Sequence, residues 1–225
     1  MTKRAGDEGV FAQHQDPVGD PAGQGQVVMK ILMVDVDGVL VRSHPVGWAR
    51  DLEADLGLSP AVLHAEFFDV HWAEIAVGRA SLPARLGPVL ERCAPHLTAR
   101  GLMDYWFRRD AEVDPTFLGQ LEPLRASGVA LHLATNQEHE RAAFLWKTLG
   151  LQDHFAAMHY SADVGWAKPD PGFFTTVVAR TGYAPADLTL VDDRPENVAA
   201  ARQAGWGGLY WDGTGTLADL LAKGG

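Results

Sequence analysis

Two aspartates one residue apart, Asp35 and Asp37, stand at the end of the apolar run KILMVDVDGVL. The apolar residues from Ile31 to Val34 do not alternate with polar ones, which indicates a strand buried on both faces, as in a parallel sheet covered by helices. A buried carboxylate without a partner is costly, so this pair needs a cation or hydrogen-bond donors. Because open α/β sheets bind ligands at the carboxyl ends of their strands, the pair marks a candidate site.

Polar residues also follow three other strands predicted from the sequence. In chain order they are Thr135 and Asn136, then Lys168, then Asp192 and Asp193. With Asp35 and Asp37, four carboxylates would meet at one edge of the sheet and repel one another, which predicts a bound cation. Hard oxygen ligands favour Mg²⁺. A carboxylate nucleophile, a metal, a lysine and a hydroxyl together suit phosphoryl transfer through an aspartyl-phosphate.

Strands and helices alternate after residue 114, and this alternation positions the strand ends. Strands are predicted at residues 129–134, 157–161, 188–191 and 208–211, and helices at 117–127, 138–149, 171–180, 195–204 and 217–222. Strands separated by helices of about ten residues are typical of βαβ units. The predicted fold class is therefore α/β, with a doubly wound, Rossmann-like parallel sheet.

A helical pattern without strand signals occupies residues 46–112, directly after the first strand. Apolar residues recur there at spacings of three and four, and glycines and prolines divide the segment into four or five short helices. An insert at the carboxyl edge of a strand lies over the ligand crevice, so this helical insert is placed to act as a lid. The other predicted domains are a disordered tail at 1–28 and a core formed by 29–45 and 113–225.

The totals limit the classes of function. The net charge of −10 over 225 residues argues against nucleic-acid binding. The single cysteine, Cys93, excludes an intrachain disulfide and a cysteine-built zinc cluster. No apolar stretch approaches the roughly 20 residues that span a bilayer, and the N-terminal region has no apolar signal-peptide core. We therefore expect a cytoplasmic protein with no membrane partner.

Four segments resemble, in order, the four motifs of the haloacid dehalogenase superfamily: DVDGVL at 35–40, ATN at 134–136, GWAKPDP at 165–171 and VDDRPENVAAARQAG at 191–205. The resemblance extends from Met29 onward. The helical insert is similar to the cap of subclass I, a small α-helical bundle, and VGRASLPARL at 77–86 is similar to a cap segment of phosphatases and dehalogenases. The family implies a haloacid dehalogenase-like core with an inserted cap.

The resemblance implies roles for the residues that match the motifs. Asp35 would be the nucleophile and a Mg²⁺ ligand, and Asp37 would be the general acid/base, binding the metal through its backbone carbonyl. Lys168 would neutralise Asp35 and the phosphate. Gly38 would let the backbone turn sharply out of the strand. The implied reaction is Mg²⁺-dependent hydrolysis of a small phosphorylated metabolite.

The same resemblance assigns the second half of the site. Thr135, with amide groups near Asn136, would hold phosphoryl oxygens. Asp193 would bind the metal directly and Asp192 would support it without direct contact, an order that the motif leaves open. Taken singly, an aspartate pair before a helix is often only a helix cap, so the assignment depends on the four segments together.

Other reactions remain alternatives. A dehalogenase typically has a bulky aromatic residue in place of Asp37, and a phosphonate hydrolase has a small one with a cap lysine, whereas residues 46–112 contain no lysine. A phosphosugar mutase keeps the aspartate pair and stays open. A receiver-type signalling domain uses a similar set of residues, but no helical insert follows its first strand. Its acidic pair is also on the first strand, whereas the adjacent pair Asp192-Asp193 of this chain is on the fourth predicted strand. Val39 and Arg42 depart from the common phosphatase pattern and bear on the substrate.

Overall fold

The computed structural model describes residues 29–42 and 47–224, so the predicted tail at 1–28 lies outside the described residues. Within them the strands are β1 (Ile31–Val34), β2 (Ala130–Thr135), β3 (Ala157–Tyr160), β4 (Leu188–Asp192) and β5 (Gly207–Tyr210). They form one parallel sheet in the order β3-β2-β1-β4-β5. The predicted α/β class with a parallel sheet is confirmed.

β1 is the centre of this sheet, and its side chains pack on both faces. It hydrogen-bonds in parallel with β2 on one side and with β4 on the other. Leu32 and Val34 belong to one apolar cluster, whereas Ile31 and Met33 belong to another. All four residues are fully buried, which is the physical reason for a strand without polar alternation.

The helical insert is described from residue 47 onward and consists of short helices. They are α1 (Leu52–Leu56), α2 (Pro60–Leu63), a π-helical turn (His64–Phe68), α3 (Asp69–Ile75), α4 (Leu82–Cys93) and α5 (Ala99–Arg109). Because α2, the π-helical turn and α3 run on without a break, these elements make four helical stretches. The insert has an apolar core of its own, which includes Phe67, Leu86 and Trp106.

Both ends of the insert join the core side by side. Residues 40–42 and 112–114 form an antiparallel stem at the carboxyl end of β1. The N–H of Arg42 donates to the carbonyl of Glu112 at 2.9 Å, and a second backbone hydrogen bond and an isolated β-bridge lie beside it. The stem therefore fixes where the insert leaves the sheet and where it returns.

The remaining helices cover both faces of the sheet. They are α6 (Pro115–Ala126), α7 (His139–Ala143), a π-helical turn (Phe144–Thr148), α8 (Ser161–Val164), α9 (Pro171–Thr181), α10 (Pro195–Gln203) and α11 (Leu217–Gly224), with 3₁₀ turns at Leu151–Asp153 and Pro185–Asp187. Phe117 of α6 and Leu217 of α11 pack in one cluster, and Phe173 of α9 and Ala201 of α10 pack in the other. None of the described helices is long and apolar enough to cross a bilayer.

The observed bounds of the elements after residue 114 differ from the predicted ones by a residue or two at several places, and two of the differences have a structural cause. The helix predicted at 138–149 is α-helical only as far as Ala143 and then continues as a π-helical turn, a change of hydrogen bonding that apolar spacing does not report. The strand predicted at 157–161 ends one residue early, because Ser161 begins α8. Its hydroxyl donates to the carbonyls of Ala76 at 2.5 Å and Gln137 at 3.1 Å, so contacts with distant segments set this boundary.

Candidate active site

Three of the predicted carboxylates meet at the carboxyl ends of β1 and β4. Asp35 directly follows β1, Asp192 is the last residue of β4, and Asp193 comes next. The N–H of Asp35 donates to the carbonyl of Val191 at 3.0 Å, which keeps the two strand ends aligned. One oxygen from each of the three carboxylates lies within 4.8 Å of the others. An all-oxygen set of this size fits a hard divalent cation such as Mg²⁺.

Lys168 brings a positive charge into this cluster. Its Nζ donates to Asp192 Oδ2 at 2.5 Å and to the carbonyl of Ala134 at 2.6 Å, and it lies 3.2 Å from Asp35 Oδ1. The lysine side chain has no solvent exposure. An ammonium group has three donors, of which two are engaged by Asp192 and Ala134, while Asp35 forms an ion pair with the same group. The charge of Lys168 is therefore fixed between Asp35 and Asp192.

Asp192 and Asp193 have different surroundings. Asp192 is fully buried and accepts hydrogen bonds from Lys168, from the N–H of Arg194 at 2.9 Å and from the side-chain amide of Asn197 at 3.0 Å. Asp193 is half-buried, and no other residue in the described part of the chain donates a hydrogen bond to its carboxylate. Asp192 is committed to the protein, whereas the oxygens of Asp193 remain available.

Gly38 lies against the Asp193 carboxylate. A Cβ atom built on Gly38 would be 2.1 Å from Asp193 Oδ2, far inside van der Waals contact. Gly38 also has a φ of 85°, a left-handed conformation that strongly favours glycine. The glycine therefore serves two purposes, because it lets the chain turn after Asp37 and leaves room for Asp193.

Burial dominates the charge state of the cluster. It raises the pKa of the Asp35 carboxyl from 3.8 to about 7, with Lys168 opposing the rise and Asp192 and Asp37 adding to it. Burial and the neighbouring Asp192 also raise the pKa of Asp193 above its ordinary value. The ammonium of Lys168 does not offset burial and the neighbouring carboxylates, and a bound cation would add positive charge that favours the ionised carboxylates.

Asp37 has a separate set of partners on the other side of the turn. Gln137 Nε2 donates to Asp37 Oδ2 and Arg141 Nη2 donates to Asp37 Oδ1, both at 2.6 Å. The Asp37 side chain nevertheless stays 44% exposed. Both of its oxygens are thus held by the protein while the carboxylate remains accessible to solvent.

Sequence patterns do not identify Gln137 and Arg141. They lie 100 and 104 residues from Asp37 along the chain. In the structure Gln137 lies just before α7 and Arg141 lies within it. A charged residue in a predicted helix carries no signal of its own. The usable signal is position, because the first turn of a helix that follows a strand end faces the same crevice as the strand-end residues.

Thr135 and Asn136 lie at the end of β2, and the structure shows what each side chain contacts. Thr135 is buried as the last residue of the strand. Asn136 Nδ2 donates to the carbonyl of Lys168 at 2.8 Å, and Asn136 Oδ1 accepts the N–H of Lys168 at 2.8 Å. The Asn136 side chain therefore holds the Lys168 loop.

The two departures from the common pattern, Val39 and Arg42, line a cavity of about 480 Å³ beside Asp193. Val39 is buried, and Arg42 forms surface ion pairs with Asp114 at 3.2 Å and Glu112 at 3.5 Å. That these two residues bear on the substrate stays a prediction.

The helical insert rests on the core near the carboxyl end of β3. Gly78 lies so close to Ala162 that a Cβ atom there would be 2.1 Å from the Ala162 carbonyl oxygen. Phe107 of α5 packs against Phe144 with ring centroids 5.6 Å apart. With the hydrogen bond from Ser161 to Ala76, these contacts seat the insert on the side of the sheet where the carboxylates lie.

Comparison with known proteins places the chain in a family. A sequence model of the haloacid dehalogenase-like hydrolase family matches residues 29–205. The chain belongs to this family. The superfamily and the enzyme class that the motifs predict are therefore confirmed.

The chain is similar in sequence to two phosphatases over most of its length. The chain is 30% identical to a phosphoserine phosphatase of Thermus thermophilus, over 82% of this chain and 89% of that protein. It is also 30% identical to a phosphoglycolate phosphatase of Chromobacterium violaceum, over 87% and 92% of the two chains.

Solved structures share the fold. The HAD family enzyme BT-2542 of Bacteroides thetaiotaomicron has a TM-score of 0.72 at 18% identity, covering 86% of this chain and 98% of that one. A 2-haloacid dehalogenase of Pseudomonas syringae pv. tomato has a TM-score of 0.62 at 25% identity, covering 85% and 91%. At 18% identity, the likeness to BT-2542 concerns the fold alone.

Proposed function

We propose that this hydrolase is a Mg²⁺-dependent phosphatase that acts on a small phosphorylated metabolite through an aspartyl-phosphate. The observation that carries the proposal is the position of the Asp35 carboxylate, 3.2 Å from the buried ammonium of Lys168 and beside Asp192 and Asp193. A nucleophile, a candidate cation site and a fixed positive charge meet at one point. This combination stabilises the negative charge of a transferring phosphoryl group.

Asp35, Asp193 and the backbone carbonyl of Asp37 would hold the metal. The free oxygens of Asp193 support its role as the direct ligand, and the hydrogen bonds of Asp192 support a role in holding Lys168. Bound Mg²⁺ would polarise a phosphoryl oxygen and offset the negative charge of the cluster. The related fold of BT-2542 has also been solved as a magnesium complex, which agrees with this choice of metal.

Two aspartates then divide the reaction. Asp35 attacks phosphorus, so that a bond from its carboxylate to phosphorus forms while the bond to the ester oxygen breaks. Asp37 gives a proton to the departing alcohol and later takes one from the water that hydrolyses the aspartyl-phosphate. Thr135, Lys168 and the backbone amides near Asn136 hold the phosphoryl oxygens.

The acid at position 37 favours phosphate ester hydrolysis over dehalogenation. A halide leaves without a proton, whereas an alkoxide needs one, and the donors Gln137 and Arg141 keep the Asp37 carboxylate in a defined place. A phosphosugar mutase would use the same aspartates but pass the phosphoryl group to a second hydroxyl. Its reaction releases no net inorganic phosphate, which makes it distinguishable.

The helical insert would act as the cap that selects the substrate. Phosphoserine and phosphoglycolate, the compounds in the names of the two relatives, are small phosphate monoesters that carry a carboxylate. We expect a substrate of this size. We propose a cytoplasmic location, as expected from the sequence.

The test is a screen of phosphate monoesters, including phosphoserine and phosphoglycolate, in which released inorganic phosphate is measured with Mg²⁺ and with excess EDTA. We expect phosphate release that needs Mg²⁺ and is lost in Asp35→Asn. Full activity in excess chelator, or in Asp35→Asn, would overturn the proposal. Isomerised sugar phosphate without released phosphate would favour the mutase.

A further inference from the structure

Arg141 is a buried arginine whose guanidinium reaches the exposed Asp37. Its side chain is only 3% exposed, whereas that of Asp37 is 44% exposed. Guanidinium groups present several donors in a rigid plane and bind carboxylates with defined geometry. The bond from Arg141 Nη2 to Asp37 Oδ1, at 2.6 Å, is therefore a directional contact as well as an ion pair.

Gln137 completes the support of the same carboxylate. Its Nε2 donates to Asp37 Oδ2 at 2.6 Å, and its Oε1 accepts from Arg141 Nε at 3.2 Å. Gln137 is itself buried. The two side chains thus form one unit in which each oxygen of Asp37 has its own donor and the donors are bonded to each other.

Asp110 of the helical insert also contacts Arg141. Arg141 Nη1 and Nη2 donate to the carbonyl of Asp110 at 3.1 and 2.9 Å, and Asp110 Oδ2 lies 3.4 Å from Arg141 Nη2. Asp110 directly follows α5. The guanidinium is therefore fixed by Gln137, just before α7, and by Asp110 on the insert, so it has little freedom to follow a moving carboxylate.

This arrangement restricts the orientation of Asp37. One donor on each oxygen fixes the plane of the carboxylate, yet each oxygen keeps a further lone pair that can carry the proton given to the leaving oxygen or accept one from a water. Proton transfer to a leaving oxygen depends on such placement, since geometry decides whether a general acid is within reach. An exposed aspartate without these contacts would sample several rotamers.

We propose that Gln137 and Arg141 are positioning residues that orient Asp37 for proton transfer. This inference rests on the proposed phosphatase function. Neither side chain needs to touch the substrate, and both act through Asp37. Their loss should therefore impair the steps that move a proton and spare those that do not.

Two esters separate these steps. An alkyl phosphate such as phosphoserine needs a proton on its leaving oxygen, whereas p-nitrophenyl phosphate releases a stable anion that needs none. With the aryl ester, a rapid burst of p-nitrophenolate reports attack by Asp35, and the later steady state reports water attack, which needs Asp37 as a base. The burst and the steady state can be measured in a single stopped-flow experiment.

We expect Arg141→Met and Gln137→Met to lower kcat on the alkyl ester by about 10- to 100-fold, a part of the usual effect of a general acid. KM should change far less. On the aryl ester the burst rate should be retained while the steady state slows, so that aspartyl-phosphate accumulates. Arg141→Lys should restore part of the kcat, because one donor can still reach Asp37.

Arg202 provides a control outside the site, because it is exposed, unlike Arg141, and its Nε and Nη2 donate to the carbonyl of Gly208 on the core. Arg202→Met should lose stability without the difference between esters. Equal loss on both esters and in the burst, or no loss, would overturn the positioning role. If Arg141→Met does not fold, Gln137→Met decides alone, because it removes the donor to Asp37 Oδ2 and the acceptor of Arg141 Nε but keeps the guanidinium itself. A wild-type enzyme that hydrolyses neither ester would overturn the proposed function instead.

Discussion

The side-chain amide of Asn136 and the backbone of Lys168 exchange two hydrogen bonds, each 2.8 Å long. These hydrogen bonds join the end of β2 to the loop between α8 and α9, which contains Lys168. The Lys168 ammonium then reaches back to the carbonyl of Ala134, two residues before Asn136. The position of this charge beside Asp35 therefore depends on a side chain that need not touch the phosphate.

Removing this amide should misplace the lysine. We expect Asn136→Ala to lower kcat by about tenfold, since each such hydrogen bond typically contributes about 0.5–1.5 kcal/mol. Thermal unfolding and steady-state kinetics measure the two consequences. Asn136→Asp is a second variant, because it keeps the acceptor for the Lys168 N–H but replaces the donor with a carboxylate oxygen and adds a negative charge. Unchanged kcat in Asn136→Ala would show that the lysine is held by its other contacts.

The raised pKa of Asp35 gives a pH dependence with a definite sign. Since burial raises the pKa of Asp35 to about 7, the folded metal-free protein keeps this proton while the unfolded chain loses it above pH 4. The contribution of this group to the free energy of unfolding therefore falls as pH rises from about 4 to 7. Binding of Mg²⁺ must displace the proton.

We accordingly expect the affinity for Mg²⁺ to fall by up to about tenfold per pH unit below pH 7 and to level off above it. Calorimetric titration of the protein with Mg²⁺ at several pH values measures this slope. Asp35→Asn is the control and should give a shallower slope, to which Asp193 still contributes. An affinity that does not change between about pH 6 and 8 would contradict the linkage.

Gly38→Ala should impair the metal site beyond its effect on stability. A left-handed conformation costs a residue with a Cβ about 1–2 kcal/mol, and at Gly38 the added atom would also displace Asp193. Gly182, with a φ of 72° and nothing within 4 Å of a built Cβ, provides the control. Gly182→Ala should show the strain alone. Equal Mg²⁺ affinity in the two variants would contradict the close approach of Gly38 to Asp193.

Asp37→Asn should separate metal binding from proton transfer. We expect kcat on an alkyl phosphate to fall by about 10²–10⁴-fold, the usual effect of a general acid–base group, while Mg²⁺ binding stays largely intact. With p-nitrophenyl phosphate, a phosphorylated Asp35 should accumulate and appear in the mass spectrum as one added phosphoryl group. Near-normal turnover of the alkyl ester would contradict the division of roles between the two aspartates.

Local sequence patterns were sufficient to predict the parallel sheet and the polar residues at its strand ends. Ile31 to Val34 form a strand without alternation because both faces are covered, and that composition is visible in four consecutive residues. The order of strands and helices then brings Asp35, Lys168 and Asp192 to one edge. Each of these inferences needs only periodicity and the geometry of parallel sheets.

Side-chain partners across the chain could not be predicted in this way. Gln137 and Arg141 meet Asp37 only because the fold brings together residues about 100 positions apart, and no spacing rule encodes that contact. Asn136 matches a motif, but the engagement of both its amide atoms by Lys168 depends on the path of the loop after β3. Such contacts follow from tertiary packing.

The antiparallel stem has a consequence for how such enzymes diversify. Because residues 40–42 and 112–114 are already joined by backbone hydrogen bonds, the sheet meets the insert as a loop whose two ends are adjacent. Doubling the length of a loop adds only about 0.6 kcal/mol of closure entropy. Recombination at the stem can therefore exchange one insert for another while the pairing of the strands is kept, provided that the new insert renews contacts such as those of Ala76 and Asp110 with the core.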